Sequence, residues 1–324
     1  MLAFMARRLL QAAVSLFVLL TIVFFMFRLL PANPVDAMVD AALGPEAIAR
    51  LYAEFGLDQP LWQQYVLYLK NIITKGDFGM SFFFRQPAVD ILADKIVNTL
   101  ILAITALVVA YALGTLWGAL LAWYRGSAFE TAGITAALTF KAAPEFWVGM
   151  IFVMIFAYGL GWLPHSGMRE PGYEETSVLL KYLNLDFLRH LILPATVAAL
   201  GSIATPTLLM RNTMLEVMHE DFVELAKAKG LSTLRIIYLH AARNALLPVV
   251  TSLATNLGRA VGGMVLVEYV FSWPGLGREI VLAATRYDYP VAQAAFLMIA
   301  ALVMLMNIVA DLLYGYLDPR IVYK

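Results

Sequence analysis

The segment ELAKAKGLSTLRIIYLHAARNALLP, Glu224–Pro248, places a charged, helix-forming insert between two long apolar runs. The chain around it has a membrane composition: 61% of the 324 residues are hydrophobic and 14% are charged, against roughly 25% charged in an average soluble domain. A charged insert of this length between membrane spans needs an explanation, and its residue pattern supplies one.

The insert reads as two amphipathic helices separated by a sharp turn. Gly230 is placed to end the first helix and Ser232 to cap the second. The apolar positions repeat at helical spacing on both sides of that turn: Leu215, Met218, Phe222, Leu225 and Ala226 before it, and Leu234, Ile237, Tyr238 and Ala241 after it. The pattern predicts a helix–turn–helix on the cytoplasmic face. Such a rigid, protruding element can serve as the binding surface for a soluble partner.

Outward from the insert, six segments are long and apolar enough to cross a bilayer, which takes about 20 residues each. They are 9–30, 96–123, 132–163, 191–210, 246–270 and 291–313. Pro144 predicts a bend in the third span, and Pro194 and Pro206 predict kinks in the fourth. The sequence thus predicts an all-α polytopic membrane protein with six transmembrane helices.

Charge predicts the orientation of these spans. Arg7 and Arg8 precede the first apolar run, which is too long for a signal peptide and lacks a small-residue cleavage site. With the N-terminus inside, the inner segments have nearly twice the density of basic residues found in the outer ones, and the outer ones are net acidic. Both termini are therefore predicted to be cytoplasmic.

Residues 31–95, between the first two spans, are predicted to form a small helical extracytoplasmic segment. GPEAIARLYAEFG and DQPLWQQYVLYLKNIITKGD each carry apolar residues at helical spacing. We interpret them as two helices packed into a cap, with helices lying on the membrane surface as the alternative. The predicted divisions are 1–30 (first span), 31–95 (outer segment) and 96–324 (permease core, with the insert at 211–245).

The insert and eight other sequence strings, in the same order along the chain, resemble those of one known protein family. The insert resembles the EAA loop of ATP-binding-cassette (ABC) importer permeases, since Glu224, Ala226 and Gly230 match and Leu225 replaces the middle alanine. Pro248 follows the glycine by 18 residues, a spacing that resembles the peptide/nickel branch. The other matching strings are RRLLQA, LPANPVD, FGLDQPLWQQY, GDFGMSF, PEFWVGM, WLPHSGM, FSWPGLG and DLLYGYLDPRIVY.

The resemblance implies a type I (MetI-like) ABC importer permease, the first (B-type) of two permease subunits, in a bacterial or archaeal cytoplasmic (inner) membrane. It implies as partners a second homologous permease, two ABC ATPase subunits and an extracytoplasmic substrate-binding protein, besides membrane lipid. ATP and Mg²⁺ would reside on the ATPases, leaving no cofactor in this chain. The residues implied to couple to the ATPases are Asp221, Glu224, Leu225, Ala226, Lys229, Gly230 and Leu231.

Charged residues within the spans provide a second candidate site. Lys141, Glu145 and Arg259 are costly at membrane depth, so they should face a partner or a wet cavity. Lys141 and Glu145 are four residues apart and are predicted to be able to pair. We expect the three to line the translocation path; a paired set between helices of the assembly is the alternative. Glu268 and Asp311 are expected to be structural.

Two more patterns indicate an outer loop and sites of close helix packing. FSWPGLG, with Phe271, Trp273 and Pro274, is a candidate outer gate or docking rim, with a structural loop as the alternative. The GxxxG patterns beginning at Gly114 and Gly258 predict close helix packing, within the chain or against the partner permease.

Composition narrows the function classes. Zero net charge gives no support for a nucleic-acid partner, and no cysteine, HExxH, GxSxG or GxxxxGK[ST] is present. The chain is therefore predicted to be a transport subunit with no metal or catalytic residues, rather than an intramembrane protease or a scaffold. The resemblance implies di- and oligopeptides as the preferred substrates, with a nickel chelate, an opine, a glutathione-like compound or an oligosaccharide as the alternative.

Overall fold

The computed structural model describes residues 2–29, 46, 52, 58–172 and 181–317. Within these ranges the regular structure is helical, apart from one isolated antiparallel bridge between Met80 and Pro87. The helices are α1 (Leu2–Arg28), α2 (Leu61–Lys75), α3 (Ala88–Trp123), α4 (Ala128–Ala142), α5 (Glu145–Gly159), α6 (Leu185–Ser202), α7 (Ala204–Val217), α8 (Asp221–Ala228), α9 (Thr233–Gly262), α10 (Val265–Val270), α11 (Leu276–Thr285) and α12 (Tyr289–Leu317).

Four of these helices are each long and apolar enough to cross a membrane: α1, α3, α9 and α12. Two bent pairs, α4 with α5 and α6 with α7, pass the same test together and complete the six predicted spans. α9 begins at Thr233, so the second helix of the predicted helix–turn–helix is not a separate element. It is the start of the fifth span, because no glycine or proline interrupts the chain between residues 233 and 247.

Proline accounts for both bends. α4 and α5 meet at 104°, with Ala143 and Pro144 in extended conformation, because the proline ring excludes the helical conformation from the residue before it. α6 and α7 meet at 49° at Ile203, three residues before Pro206, which cannot donate the next helical hydrogen bond. The predicted bend at Pro144 is confirmed, whereas α6 continues through Pro194.

The chain divides into two compact units, and the boundary falls inside α3 and α12. Among the described residues, the first unit contains 2–29, 46, 52, 58–99 and 274–304. In it α2 packs on α1: the Tyr65 hydroxyl is 2.7 Å from the Thr21 hydroxyl, and the rings of Tyr65 and Tyr68 each lie 5.3 Å from that of Phe24. The helix predicted in GPEAIARLYAEFG lies outside the described residues, save Glu46 and Tyr52.

Asp288 organises the loop before α3 in this unit. Its carboxylate, 1% exposed, accepts hydrogen bonds from the Ser81 hydroxyl and from the backbone N–H groups of Phe82 (3.0 Å) and Phe83 (3.4 Å). A buried carboxylate is stable only when its lone pairs are met in this way. The GDFGMSF string is thereby fixed to the residue just before α12.

Among the described residues, the second unit contains 100–172, 181–273 and 305–317. Its core begins where α3 crosses α7: a Cβ on Gly114 would lie 2.7 Å from Pro206 Cγ, and one on Gly118 would strike the Thr207 carbonyl. The close packing predicted from the first GxxxG pattern is confirmed, and it occurs within the chain.

Candidate functional site

The predicted coupling loop contains one short helix, α8, whose register differs from the sequence prediction. The helix predicted over 215–229 is broken by a turn at Met218–Glu220, where Glu220 is extended (ψ 145°). The break resets the helical phase, so Val223 and Ala226 are buried. Phe222 and Leu225, predicted for the packed stripe, are instead 37% and 55% exposed.

A complete C-terminal cap ends α8. Gly230 adopts the left-handed conformation (φ +74°), its N–H donates to the Lys227 carbonyl (2.9 Å), and the Leu231 N–H donates to the Ala226 carbonyl (3.3 Å). These two bonds form a Schellman motif, which favours glycine at this position. Ser232 stands at the N-cap position of α9, as predicted, but its side chain makes no capping hydrogen bond.

α8 is held against the adjoining ends of α7 and α9. Val223 and Ala226 belong to one apolar cluster with Met210 and Met214 of α7 and with buried residues of α9 such as Ile237 and Ala245. The Thr213 hydroxyl of α7 also donates to the Ala245 carbonyl (3.1 Å). Of the residues implied to contact an ATPase, most remain exposed: Asp221, Glu224, Leu225, Lys229 and Gly230, with Leu231 half-exposed and Ala226 buried.

The second candidate site is a cavity of about 300 Å³ in the second unit. Both helix breaks open onto it: the α4–α5 bend contributes Lys141 and Glu145, and the α6–α7 bend contributes Gly201, Ser202 and Thr205. α3 and α9 complete most of the wall, the latter with Arg259. The structure therefore brings the three charged residues singled out in the spans to one cavity, with the lining Leu107, Tyr111, Lys141, Glu145, Gly201, Ser202, Thr205, Asn256, Arg259, Ala260, Gly263 and Met264.

The predicted ion pair between Lys141 and Glu145 is absent. Among the described residues no ion pair within 4.0 Å involves Lys141, Glu145 or Arg259, and no side-chain hydrogen bond is found for them either. The pairing was predicted for a continuous helix, where positions i and i+4 share a face. The 104° bend between the two residues removes that face.

One part of the cavity wall is fixed by a polar network between α3 and α9. The Tyr111 hydroxyl lies 2.8 Å from the Ser252 hydroxyl, and the Asn256 amide donates to the Tyr111 hydroxyl (3.0 Å) and to the Ser252 carbonyl (2.8 Å). This network holds the part of the wall formed by α3 and α9, the helix that carries Arg259.

Gly201 sets the position of the Glu145 carboxylate. A Cβ built on Gly201 would lie 2.5 Å from Glu145 Oε1, so only glycine leaves room for the carboxylate against α6. Nothing in the sequence pattern marked Gly201, because the contact joins residues 56 positions apart.

An ion pair that the sequence patterns did not reveal, between the buried Glu130 and the partly exposed Arg211, joins α4 to α7. Arg211 donates to the Glu130 carboxylate through Nε (2.8 Å) and a second guanidinium nitrogen, and the Gly126 N–H donates to the other carboxylate oxygen (2.6 Å). Glu130 is 6% exposed. The pair stabilises the start of α4 and was not predictable from local spacing, since 81 residues separate its members.

The FSWPGLG residues are mostly interior. Phe271 and Trp273 are 2% and 0% exposed, and the Trp273 ring packs 5.7 Å from that of Phe187. The Gly167 N–H, from the WLPHSGM string, donates to the Phe271 carbonyl (2.8 Å). These positions fit the structural-loop alternative; Ser272 and Pro274 are the half-exposed residues of the string.

A cluster that the sequence analysis did not single out lies near the start of α6. Glu170, Asp186 and His190 offer potential ligand atoms within 4.8 Å of one another. His190 Nδ1 donates to the Asp186 carbonyl (2.9 Å), and the Glu170 N–H donates to the Asp186 carboxylate (3.1 Å). These hydrogen bonds explain why the three side chains lie close together: they connect Glu170 and His190 to Asp186 in the first turn of α6.

Comparison with known proteins identifies the family. The model of "Binding-protein-dependent transport system inner membrane component" matches residues 114–323, and that of its N-terminal region matches residues 1–103. The chain is similar to the di/tripeptide transport system permease DppB of Pseudomonas aeruginosa, at 40% identity over 99% of both chains. It is also similar to the dipeptide permease DppB and the glutathione transport permease GsiC of Escherichia coli K12, at 37% and 34% identity over the full length of both chains.

A solved structure agrees on the fold. A chain of the MetNI methionine ABC transporter, in inward-facing conformations, superposes with a TM-score of 0.54 at 16% identity, covering 71% of this chain and 97% of that one. The predicted MetI-like, all-helical architecture is confirmed. The chain belongs to the family of inner-membrane components of binding-protein-dependent transport systems and is a multi-pass membrane protein.

Proposed function

We propose that this chain is the permease subunit of an ATP-driven importer of di- and oligopeptides. The observation that carries the proposal is α8: a short helix anchored by Val223 and Ala226, capped at Gly230, and presenting an exposed face that combines Leu225 with charged residues. A helix fixed on both neighbouring helices transmits displacement to them, which a flexible linker does not.

The partners follow from this assignment. A second permease completes the channel, two ATPases dock at α8 and carry ATP and Mg²⁺, and an extracytoplasmic binding protein delivers the substrate. In this arrangement both termini and α8 face the cytoplasm, as the distribution of basic residues favours. This chain itself contributes no catalytic residue.

The peptide substrate is favoured by the relatives. Those similar over their full length are described as transporting dipeptides, di- and tripeptides, or glutathione, all of which are short peptides or peptide-like compounds. Lys141, Glu145 and Arg259, gathered at one cavity, are assigned to the translocation path on this interpretation. None of these three relatives is named for a nickel chelate, an opine or an oligosaccharide.

The first test is recovery of the assembly. The tagged protein, purified in mild detergent from its own membranes, is expected to bring with it a second permease and ATPase subunits identifiable by mass spectrometry. Reconstituted with the binding protein, the complex should hydrolyse ATP faster when peptide is added. Recovery of the chain alone, even after cross-linking from cysteines placed beside Gly230, would contradict the proposal in favour of a scaffold.

A matched pair of variants locates the docking surface. Leu225→Asp places a charge on the exposed face of α8 and should reduce ATPase recovery about tenfold or more, because the charge becomes buried without a partner in the complex. Leu183→Asp makes the same change at a comparably exposed leucine in the loop before α6 and should leave recovery unchanged. Equal recovery from both variants would place the contact elsewhere.

A further inference from the structure

The charged cavity of the second unit has an unusual composition for a site at membrane depth. Two cations and one carboxylate line it, and none of the three forms an ion pair with another described residue. A charge within the membrane costs a few kcal/mol even by the lower estimates, so such groups face partners or water. Cations and a carboxylate left unpaired around one space are complementary to a ligand that carries both signs of charge.

The positions of these charges are fixed by the fold. Glu145 is the first residue of α5, directly after the proline bend, and its carboxylate rests against Gly201. Arg259 stands on α9, the helix that the Tyr111–Ser252–Asn256 network ties to α3. The carboxylate and the guanidinium are therefore presented from different helices across one cavity.

The size of the cavity restricts the ligand. About 300 Å³ lies at the lower end of the range for small-molecule sites, which is roughly 300–1,000 Å³. A peptide of two or three residues has its ammonium and carboxylate close enough together for both to be held in such a space. The two ends of a long, extended peptide are too far apart to be held in this space at the same time.

We propose that this cavity binds the two charged termini of a short zwitterionic peptide during passage. Glu145 pairs with the peptide ammonium. Arg259, whose planar guanidinium can bind a carboxylate through two parallel hydrogen bonds, pairs with the peptide carboxylate, assisted by Lys141. The proposal rests on the peptide-importer function above and adds a selection step inside the permease for unblocked peptide ends.

The absence of cysteine from the sequence allows a direct test in the reconstituted complex. Ser202→Cys places a thiol in the cavity lining, and Thr135→Cys places one in a separate groove on α4 as a control. Alanyl-alanine should slow maleimide labelling at position 202 but not at position 135. N-acetyl-alanyl-alanine and alanyl-alanine amide should protect about tenfold less, since each lacks one charge-assisted contact.

Substitutions assign each contact. In the Ser202→Cys background, Glu145→Gln should abolish discrimination against the N-acetylated peptide and leave discrimination against the amide intact; Arg259→Gln should do the reverse. The charge-retaining variants Glu145→Asp and Arg259→Lys should keep the discrimination. If protection is the same for all three peptides, or if the neutral and the charge-retaining variants alike fail to assemble, the proposal is wrong and the charges serve the assembly.

The experiments distinguish a failure of the cavity proposal from a failure of the peptide-importer proposal. ATP-driven uptake of alanyl-alanine by the wild-type complex, with no end-group discrimination at position 202, would overturn this inference and leave the peptide importer standing. Absence of uptake and of peptide-stimulated ATP hydrolysis would overturn both.

Discussion

Two glutamates on either side of the Pro144 bend have opposite surroundings. Glu130, near the start of α4, is buried and accepts hydrogen bonds from Arg211 and from the Gly126 N–H. Glu145, at the start of α5, faces a cavity and has no ion-pair partner among the described residues. The Glu130 carboxylate is satisfied within the chain, whereas the Glu145 carboxylate is left without an ion-pair partner. On the proposal above, this difference separates a structural charge from a ligand-binding one in the same bent span.

The largest expected effect comes from breaking the satisfied pair. Arg211→Met leaves the buried Glu130 carboxylate without its cation and should destabilise the protein by about 3 kcal/mol, since removing one member of a buried pair leaves an uncompensated charge. Thermal unfolding of the purified protein in detergent measures the loss. Adding Glu130→Gln to Arg211→Met should recover part of the stability; an equal or greater loss in the double variant would show that Glu130 does not depend on Arg211.

Asp288, in the first unit, is a second buried carboxylate whose hydrogen-bond partners lie within the chain. Asp288→Ala removes the acceptor for Ser81, Phe82 and Phe83 and should cost about 2 kcal/mol, the penalty for leaving buried donors unmet. Limited proteolysis of the 77–87 loop, together with thermal unfolding, reports the effect. Asp77→Ala is the matched control, because Asp77 accepts one bond from the Gly79 N–H at an exposed site. Equal losses of stability in Asp288→Ala and Asp77→Ala would show that burial of the carboxylate does not decide its contribution.

The smallest effect on stability is expected at the unsatisfied carboxylate. Gly201→Ala forces the Glu145 side chain away from α6 and should change stability by less than about 1 kcal/mol, since the end of a flexible side chain can move. Peptide uptake, in contrast, should fall, because the displaced carboxylate no longer meets the peptide ammonium in the cavity, and Glu145→Gln should lower uptake to a similar extent. In a Glu145→Ala background the Gly201→Ala change should have no further effect on uptake. An additive loss there would mean that Gly201 acts through another neighbour.

The sequence predicted features whose causes are local. Apolar length identified the spans, and the proline rings of Pro144 and Pro206 identified the two bent ones. Gly230 was recognised as a helix stop because few other residues adopt a left-handed conformation without strain.

Local patterns failed where a break or a distant contact decides the outcome. The turn at Met218–Glu220 contains neither glycine nor proline, so the sequence did not reveal the new register of α8. The pairing that the spacing of Lys141 and Glu145 allows does not form, because the 104° bend between them leaves no shared helix face. Glu130 with Arg211 and Asp288 with Ser81 are separated by 81 and 207 residues, beyond the reach of any periodicity.

The continuity of α9 has a mechanical consequence. The helix starts two residues after the cap of α8 and reaches Arg259 without a loop, a distance of about 39 Å at 1.5 Å per residue. A lever of this kind carries a small tilt at its base to a proportionally larger displacement at its far end. Two local departures from α-helical hydrogen bonding lie along it: the π-helical turn Ile236–Ala241 close to the base and Pro248 further along, which donates no helical hydrogen bond. A displacement of α8 would therefore change the orientation of the Arg259 guanidinium, because no loop separates the base of α9 from Arg259.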